Sequence, residues 1–348
     1  MAMTGCERIH ALLEGKPIDR SPIASWYHFP QVDHNITDFS RALINSTDFY
    51  DWDFIKIMTC GHFMTEAYGA DITYSTDPNH WYGTVNRYPV QKIEDLWNVG
   101  VLDIDNPMMV RELEIVRILA DRYKGEKPII ATIFNPITSL QEITSSLNPK
   151  PVQEFLQQDK AAVHAALDAI HQTNKNYLDA LIEAGIDGIF LANQFSQADR
   201  LTDEQYAEFV RPYDDATWEY IKGRTWFNMA HVHGAADLRI DQYLHPDLQA
   251  LNWENCPLGV APEHTASIEK VAKMTSQVLI TGIDQRNDFV TPTNDRDAVK
   301  QVIAKRYADA IREKGDNRFV FATGCGTPLG TYLYLLSLIG DVVKEYQD

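Results

Sequence analysis

Pro128–Phe134 (PIIATIF) and Ile186–Asn193 (IDGIFLAN) flank a stretch, Pro151–Ala184, whose helical spacing stops at Gly185. Two short apolar, β-branched runs joined by a long helix form a strand–helix–strand unit, and a crossover of that length makes the two strands parallel. A loop opening at Asn135-Pro136 leads from the first strand toward the helix.

The same alternation continues in both directions. Downstream, Leu201–Glu204 opens a helix with Thr202 as N-cap, running to about Ile221. Thr225–Val232, Leu248–Trp253 (LQALNW) and Gln277–Ile283 (QVLITGI) read as strands. Thr293-Asn294-Asp295 starts a helix through Lys314, Arg318–Thr323 (RFVFAT) is the final strand, and Leu329–Tyr346 the closing helix. Upstream, Ile23–Trp26 and Asp53–Met58 supply two more strands. Eight strand starts predict an α/β fold, a closed (β/α)8 TIM barrel of about 250 residues. The whole chain, 1–348, is expected to form this single domain, with residues 1–20 as an N-terminal segment. Residues 61–127 are the expected excursion between strands two and three; their first part is rich in Tyr, Trp, Gly and Asn and reads as loops or a hairpin. No G-x-G-x-x-G follows the first strand, which disfavours an open doubly wound sheet.

Composition agrees with a large folded core. Hydrophobic residues make up 45% and charged residues 23%, which excludes a disordered or fibrous chain. The 31 Lys+Arg against 49 Asp+Glu give a net charge of −18. That is the wrong sign for a general nucleic-acid binder or for docking on anionic lipid, so neither partner is expected. No run reaches the roughly 18–20 apolar residues of a membrane span, and Met1–Asp19 has no apolar leader core, so the expectation is a cytoplasmic protein. Four scattered cysteines without a C-x-x-C pair indicate neither a disulfide framework nor a zinc ribbon.

Barrel enzymes place their chemistry at the C-terminal ends of the strands. The fifth strand ends His231-Val232-His233-Gly234, and side chains two apart on a strand share a face. The sixth ends Asn252-Trp253-Glu254-Asn255-Cys256, and the eighth Thr323-Gly324-Cys325-Gly326-Thr327-Pro328. Singly, these signals are weak: an H-x-H pair often binds nothing, a lone cysteine is usually core, and Glu254 reads equally as a solvated strand end. The glycines around Cys325 argue mildly against a core role. On one rim, imidazole, thiol and carboxylate are zinc ligand types. The candidate ligands are therefore His231, His233 and Cys325, with Glu254 as a fourth ligand or a catalytic carboxylate. Asp71 reads as polar lining or a helix-adjacent cap. Trp26, His28, Asn135, Asn193, Gln194, Trp253 and Asp284 are candidate substrate contacts around the mouth.

The ordered pieces resemble the uroporphyrinogen decarboxylase superfamily. They are Glu7-Arg8 with Leu12–Pro22, Asp53–Lys56, Glu66–Asp71, Thr281–Asp284 and Gly324–Pro328. That superfamily includes the decarboxylase and zinc-dependent corrinoid methyltransferases; cobalamin-independent methionine synthase is a more distant relative. The decarboxylase resemblance implies an arginine-rich early segment for substrate carboxylates, whereas Trp26–Gln31 contains no arginine, and Cys325 stands at the family's late histidine position. The methyltransferase branch carries H-x-C on strand five and cysteine on strand eight. This chain has His231 and Cys325 there, with His233 in place of the middle cysteine. Glu254 lies near where the methionine synthases supply a carboxylate ligand. The resemblance thus implies zinc acting on a small methyl donor or acceptor, methylcobalamin carried by a separate corrinoid protein, and a homodimer. Exchanging a thiolate ligand for neutral imidazole leaves the metal more positive, which lowers the pKa of a bound thiol or water but weakens the bound thiolate as nucleophile. Two alternatives are a decarboxylase using Asp71 on a protonated intermediate, and a barrel that binds a corrinoid or tetrapyrrole without turnover.

Overall fold

The structure, a computed structural model, describes residues 2–74, 83–290 and 295–346. Its strands are β1 (Ile23–Ala24), β2 (Ile55–Lys56), β3 (Asp71–Tyr74), β4 (Gly83–Arg87), β5 (Ile129–Phe134), β6 (Gly188–Asn193), β7 (Met229–Val232), β8 (Ala250–Trp253), β9 (Val278–Ile283) and β10 (Val320–Thr323). Eight of them form one parallel sheet in the order β1-β10-β9-β8-β7-β6-β5-β2, a nearly closed barrel surrounded by helices. The seam between β1 and β2 is held at its lower end by Asp53. Its backbone N–H donates to the Ile23 carbonyl at 2.9 Å, and its carboxylate accepts from the Ile23 N–H at 2.6 Å. Arg8 and Arg20 pair with the same carboxylate. Arg8 comes from helix Gly5–Leu13, started by a Thr4/Glu7 capping box. The segment before the first strand is therefore helical and anchored to the seam.

Strand periodicity sorts the core into two layers. Met229, Ala250, Val278, Val320 and Ala322 pack together inside the barrel with Trp26, Phe54 and Phe190. The alternate residues Ala230, Leu251, Leu279 and Phe321 pack outward against the helices. Apolar side chains thus fill the lower barrel, and His231 and Asn252 enter near the upper strand ends.

The helical layer is more broken than the sequence spacing predicts. Asp159 is extended (φ −150°, ψ 93°); it ends helix Lys150–Gln158 and caps helix Lys160–Ala184, dividing the expected single helix. A further helix, Pro136–Ser145, starts from the Asn135 cap where a loop was expected. The helix begun at the Thr202 cap is divided at Val210, ahead of Pro212, whose missing N–H suits a new first turn. The closing segment is a 3₁₀ turn, Leu333–Leu336, then helix Ser337–Glu345, shorter than Leu329–Tyr346. Helix Arg296–Lys314 is capped by Asp295, while Thr293 and Asn294 lie outside the described residues.

The excursion after β2 holds helix Phe63–Ala67 and the antiparallel hairpin β3–β4. It also contains helix Pro107–Tyr123, which buries Met109, Leu113, Val116 and Leu119 against the main core. This helix is the regular crossover into β5, so the later part of 61–127 belongs to the barrel layer itself. Among the described residues no helix is long and apolar enough to cross a membrane.

Candidate metal centre

His231 is the last inward-facing residue of β7, following Met229 on the same face. Its parallel neighbour on β8 is Asn252. The Asn252 amide is oriented by two carbonyls: Nδ2 donates to Ile280 at 2.8 Å and to Thr323 at 3.1 Å. Oδ1 is thereby aimed at His231, whose Nδ1–H donates to it at 2.6 Å. This fixes the tautomer, leaving the Nε2 lone pair directed at His233 and Cys325.

His231 Nε2 lies 3.3 Å from His233 Nδ1 and 3.6 Å from Cys325 Sγ, and His233 Nδ1 lies 3.8 Å from the same sulfur. Four-coordinate zinc, with bonds of about 2.0 Å to nitrogen and 2.3 Å to sulfur, has N–N edges of about 3.3 Å and N–S edges of about 3.6 Å. The three donor atoms therefore fit one face of a tetrahedral zinc ion. Burial keeps both imidazoles neutral, His231 well below its ordinary value and His233 down to about 4. Burial, with the Glu254 carboxylate nearby, pushes the Cys325 thiol up to about 11. Without a cation the set is uncharged at neutral pH, and a metal must displace one proton, from Cys325.

Cys325 is placed by close backbone packing. A Cβ on Gly324 would lie 2.7 Å from Glu254 Cα and from the Trp253 carbonyl oxygen; one on Gly326 would lie 2.8 Å from Met58 Cε. The Cys325 N–H donates to Gln285 Oε1 at 3.2 Å. Glu254, the expected fourth ligand, is buried but is not part of the three-residue donor cluster; it pairs with Arg286 at 3.2 Å.

Of the candidate substrate contacts, Trp26 and His28 stand at the centre, both near the Cβ position of Gly326. Burial, with Lys56 nearby, lowers His28 to about 3. The others are engaged in the scaffold. Asn135 caps a helix and donates to Asp214 at 3.0 Å; Asn193 donates to Tyr206 and accepts from the Phe195 N–H. Gln194 donates to Glu142 at 3.0 Å. Asp284 accepts three bonds within its own turn and from Leu258. Trp253 points outward, one residue past inward-facing Asn252, and its Nε1–H donates to the Ala266 carbonyl at 2.6 Å. Asp71 is exposed on the hairpin, opposite Arg87, away from the barrel interior.

Two residues of the centre escaped the sequence reading. Asn252 was detectable as the same-face, same-level neighbour of His231. Lys56 is the inward residue of β2, with Nζ 4.4 Å from the centre of the Phe190 ring, whose ring in turn stacks on His231 at 4.9 Å. Its Nζ donates to the soft Met58 sulfur at 2.7 Å, and burial pushes the ammonium down to about 7. A lysine in a two-residue strand carries no sequence signal of inward orientation.

The uroporphyrinogen decarboxylase (URO-D) family model matches residues 4–346. Methylcobamide:CoM methyltransferase MtaA of Methanosarcina barkeri is 20% identical over 284 residues, covering 78% of this chain and 81% of that protein. Uroporphyrinogen decarboxylase of Corynebacterium glutamicum is 29% identical over 142 residues, 40% of this chain and 38% of that protein. A methyltransferase structure from Methanosarcina mazei superposes with a TM-score of 0.79 at 18% identity, over 99% of this chain and 100% of that one. With the family model spanning almost its full length, this chain belongs to the uroporphyrinogen decarboxylase family.

Proposed function

We propose that this protein is a zinc-dependent methyltransferase that moves a methyl group between a corrinoid carried by a separate protein and a small acceptor or donor. The observation that carries the reading is the His231–His233–Cys325 triangle, with its tautomer set by Asn252 and its edges matching tetrahedral zinc. The methyltransferase relatives supply the reaction class.

Bound zinc supplies Lewis acidity, lowering the pKa of a thiol or water in its open position. The chain's own residues do the rest. Asn252 holds the His231 proton on Nδ1, so Nε2 stays a donor. Trp26, His28 and Phe190 keep the interior side of the centre apolar and dry, which strengthens every electrostatic interaction there. Lys56 brings a cation into that dry space and offers it to an anionic group of the small substrate. Glu254, held by Arg286, places a carboxylate near the sulfur as a proton acceptor.

The test combines metal analysis with turnover. The purified protein should contain zinc that is lost in His231→Ala and Cys325→Ala. With methylcobalamin it should demethylate the corrinoid in the presence of a small thiol, only when zinc is loaded. Zinc-free protein of full activity would overturn the reading, and so would conversion of uroporphyrinogen to coproporphyrinogen without corrinoid demethylation. Tight corrinoid binding with no methyl transfer to any thiol, amine or methoxy compound would favour the non-catalytic alternative.

A further inference from the structure

A second donor cluster lies outside the centre described above, where the chain leaves β1 and β2. Asp33 sits in the turn before helix Ile36–Tyr50, followed by His34; Cys60 precedes helix Phe63–Ala67. One ligand atom from each of the three lies within 4.8 Å of the others, with Asp33 Oδ1 and His34 Nδ1 at 3.2 Å. Asp33 is 0% exposed and Cys60 1%. Neither carboxylate oxygen of Asp33 has a hydrogen-bond partner among the described residues, nor does His34 Nδ1. A buried carboxylate left this way is costly, and buried polar groups are almost always satisfied.

Among the described residues the surrounding charges do not supply the missing partner. Glu66 accepts from Tyr74 at 2.5 Å and lies 3.9 Å from Arg111. Arg111 is committed to Glu112, its neighbour, at 3.1 Å. Three carboxylates, Asp33, Glu66 and Glu112, thus share one guanidinium beside a buried thiol. The cluster is short of positive charge and brings an oxygen, a nitrogen and a sulfur donor within 4.8 Å of one another.

We propose that Asp33, His34 and Cys60 form a second metal site, taking a divalent cation of the zinc type. Carboxylate, imidazole and thiolate select zinc over magnesium or calcium. The placement assigns its role. β1 and β2 are the two end strands of the sheet order, and Asp53 joins them at their lower ends. A metal held by Asp33 and His34 after β1 and by Cys60 after β2 clamps the same seam at the mouth. It is a structural ion that closes the barrel, separate in its ligands from His231, His233 and Cys325.

The experiment is cobalt(II) titration of metal-stripped protein, read by the thiolate-to-cobalt charge-transfer band, with zinc content of the purified protein by mass spectrometry. The wild type should take two equivalents; Cys325→Ala and Cys60→Ser should each retain one, and the double variant none. Asp33→Asn, isosteric and incapable of carboxylate ligation, should also lose the second equivalent while its circular dichroism stays that of the wild type. Refilling the second site in Cys325→Ala should raise Tm. One equivalent in the wild type, none in Cys325→Ala and no change in Cys60→Ser and Asp33→Asn overturns the proposal. Loss of metal in Cys60→Ser with none lost in Cys325→Ala instead refutes the His231 centre and leaves this one standing.

Discussion

Asn252→Ala isolates the group that prepares His231. In the native chain one amide makes three bonds: it accepts from His231 Nδ1–H at 2.6 Å and donates to two carbonyls at 2.8 and 3.1 Å. Alanine leaves the buried Nδ1–H without its acceptor, and the freed ring turns or changes tautomer. Loss of an outer-shell partner of this kind costs about 10–100-fold in metal affinity, which is roughly 1.4–2.7 kcal/mol. Removing the amide from a fully buried strand position also leaves a small void and orphaned polar groups, with a stability loss on the order of 2–4 kcal/mol. The two effects are separable. Zinc affinity is measured by chelator competition on the folded variant at 15 °C, and stability by urea denaturation of the metal-free form. A variant that loses stability yet binds zinc with native affinity would refute the reasoning, because Asn252 would then be packing alone. Asn252→Asp sharpens the test: the carboxylate still accepts from His231 but repels both carbonyls, so stability should fall further than affinity.

Three more outcomes follow from the same geometry. Lys56→Met should be more stable than the wild type at pH 6, because the native chain buries an ammonium whose pKa is pushed down to about 7; the unfolded lysine keeps its proton to about 10.4. That cost is fully present below about 7 and fades as pH rises toward 10.4, so urea midpoints of the two proteins should converge by pH 10, while the variant loses turnover of an anionic substrate. Gly324→Ala places a Cβ 2.7 Å from the Glu254 backbone, should cost about 1–3 kcal/mol in thermal denaturation, and should weaken zinc binding by displacing Cys325. Burial pushes the Asp214 carboxyl up to about 7. The folded form therefore holds the proton longer than the unfolded chain, and the stability of the wild type relative to Asp214→Asn should decline between pH 4 and pH 7.

The barrel and its rim were readable because both rest on short-range regularities. Apolar runs ending at Asn193, Val232, Trp253 and Thr323 are strands whatever surrounds them, and H-x-H at a strand end puts both imidazoles on one side. What escaped depends on contacts far apart in sequence. Asp159 and Val210 break helices through single backbone angles that apolar spacing does not register. Asn135 and Asn193 stand at strand ends, yet Asp214 from a later helix takes up both amides. Trp253 was a matter of parity: once His231 faces inward, Asn252 beside it does too, and Trp253 must face the helices. Lys56 lies in β2, and Asp33, His34 and Cys60 in the segments that follow β1 and β2; each of these strands contributes two residues to the sheet and so lacks a period to read.

The charge of the mouth bears on the substrate. A porphyrinogen polycarboxylate needs a cation for nearly every buried carboxylate, since an unpaired buried charge costs several kcal/mol. Here Lys56 is buried beside the triad, while Arg286 is 58% exposed and already engaged with buried Glu254. Among the described residues the cations acting on the triad are Lys56, Arg286 and Arg200, far fewer than a porphyrinogen polycarboxylate needs. The ligand set points the same way. Two neutral imidazoles and one thiolate would leave zinc with a formal charge of about +1, where two thiolates would leave it neutral. A more positive centre favours ionisation of whatever it binds over nucleophilicity of the product. In our proposal, the His233 substitution and Lys56 therefore act together: both shift the centre toward a small anionic partner that must be deprotonated to react.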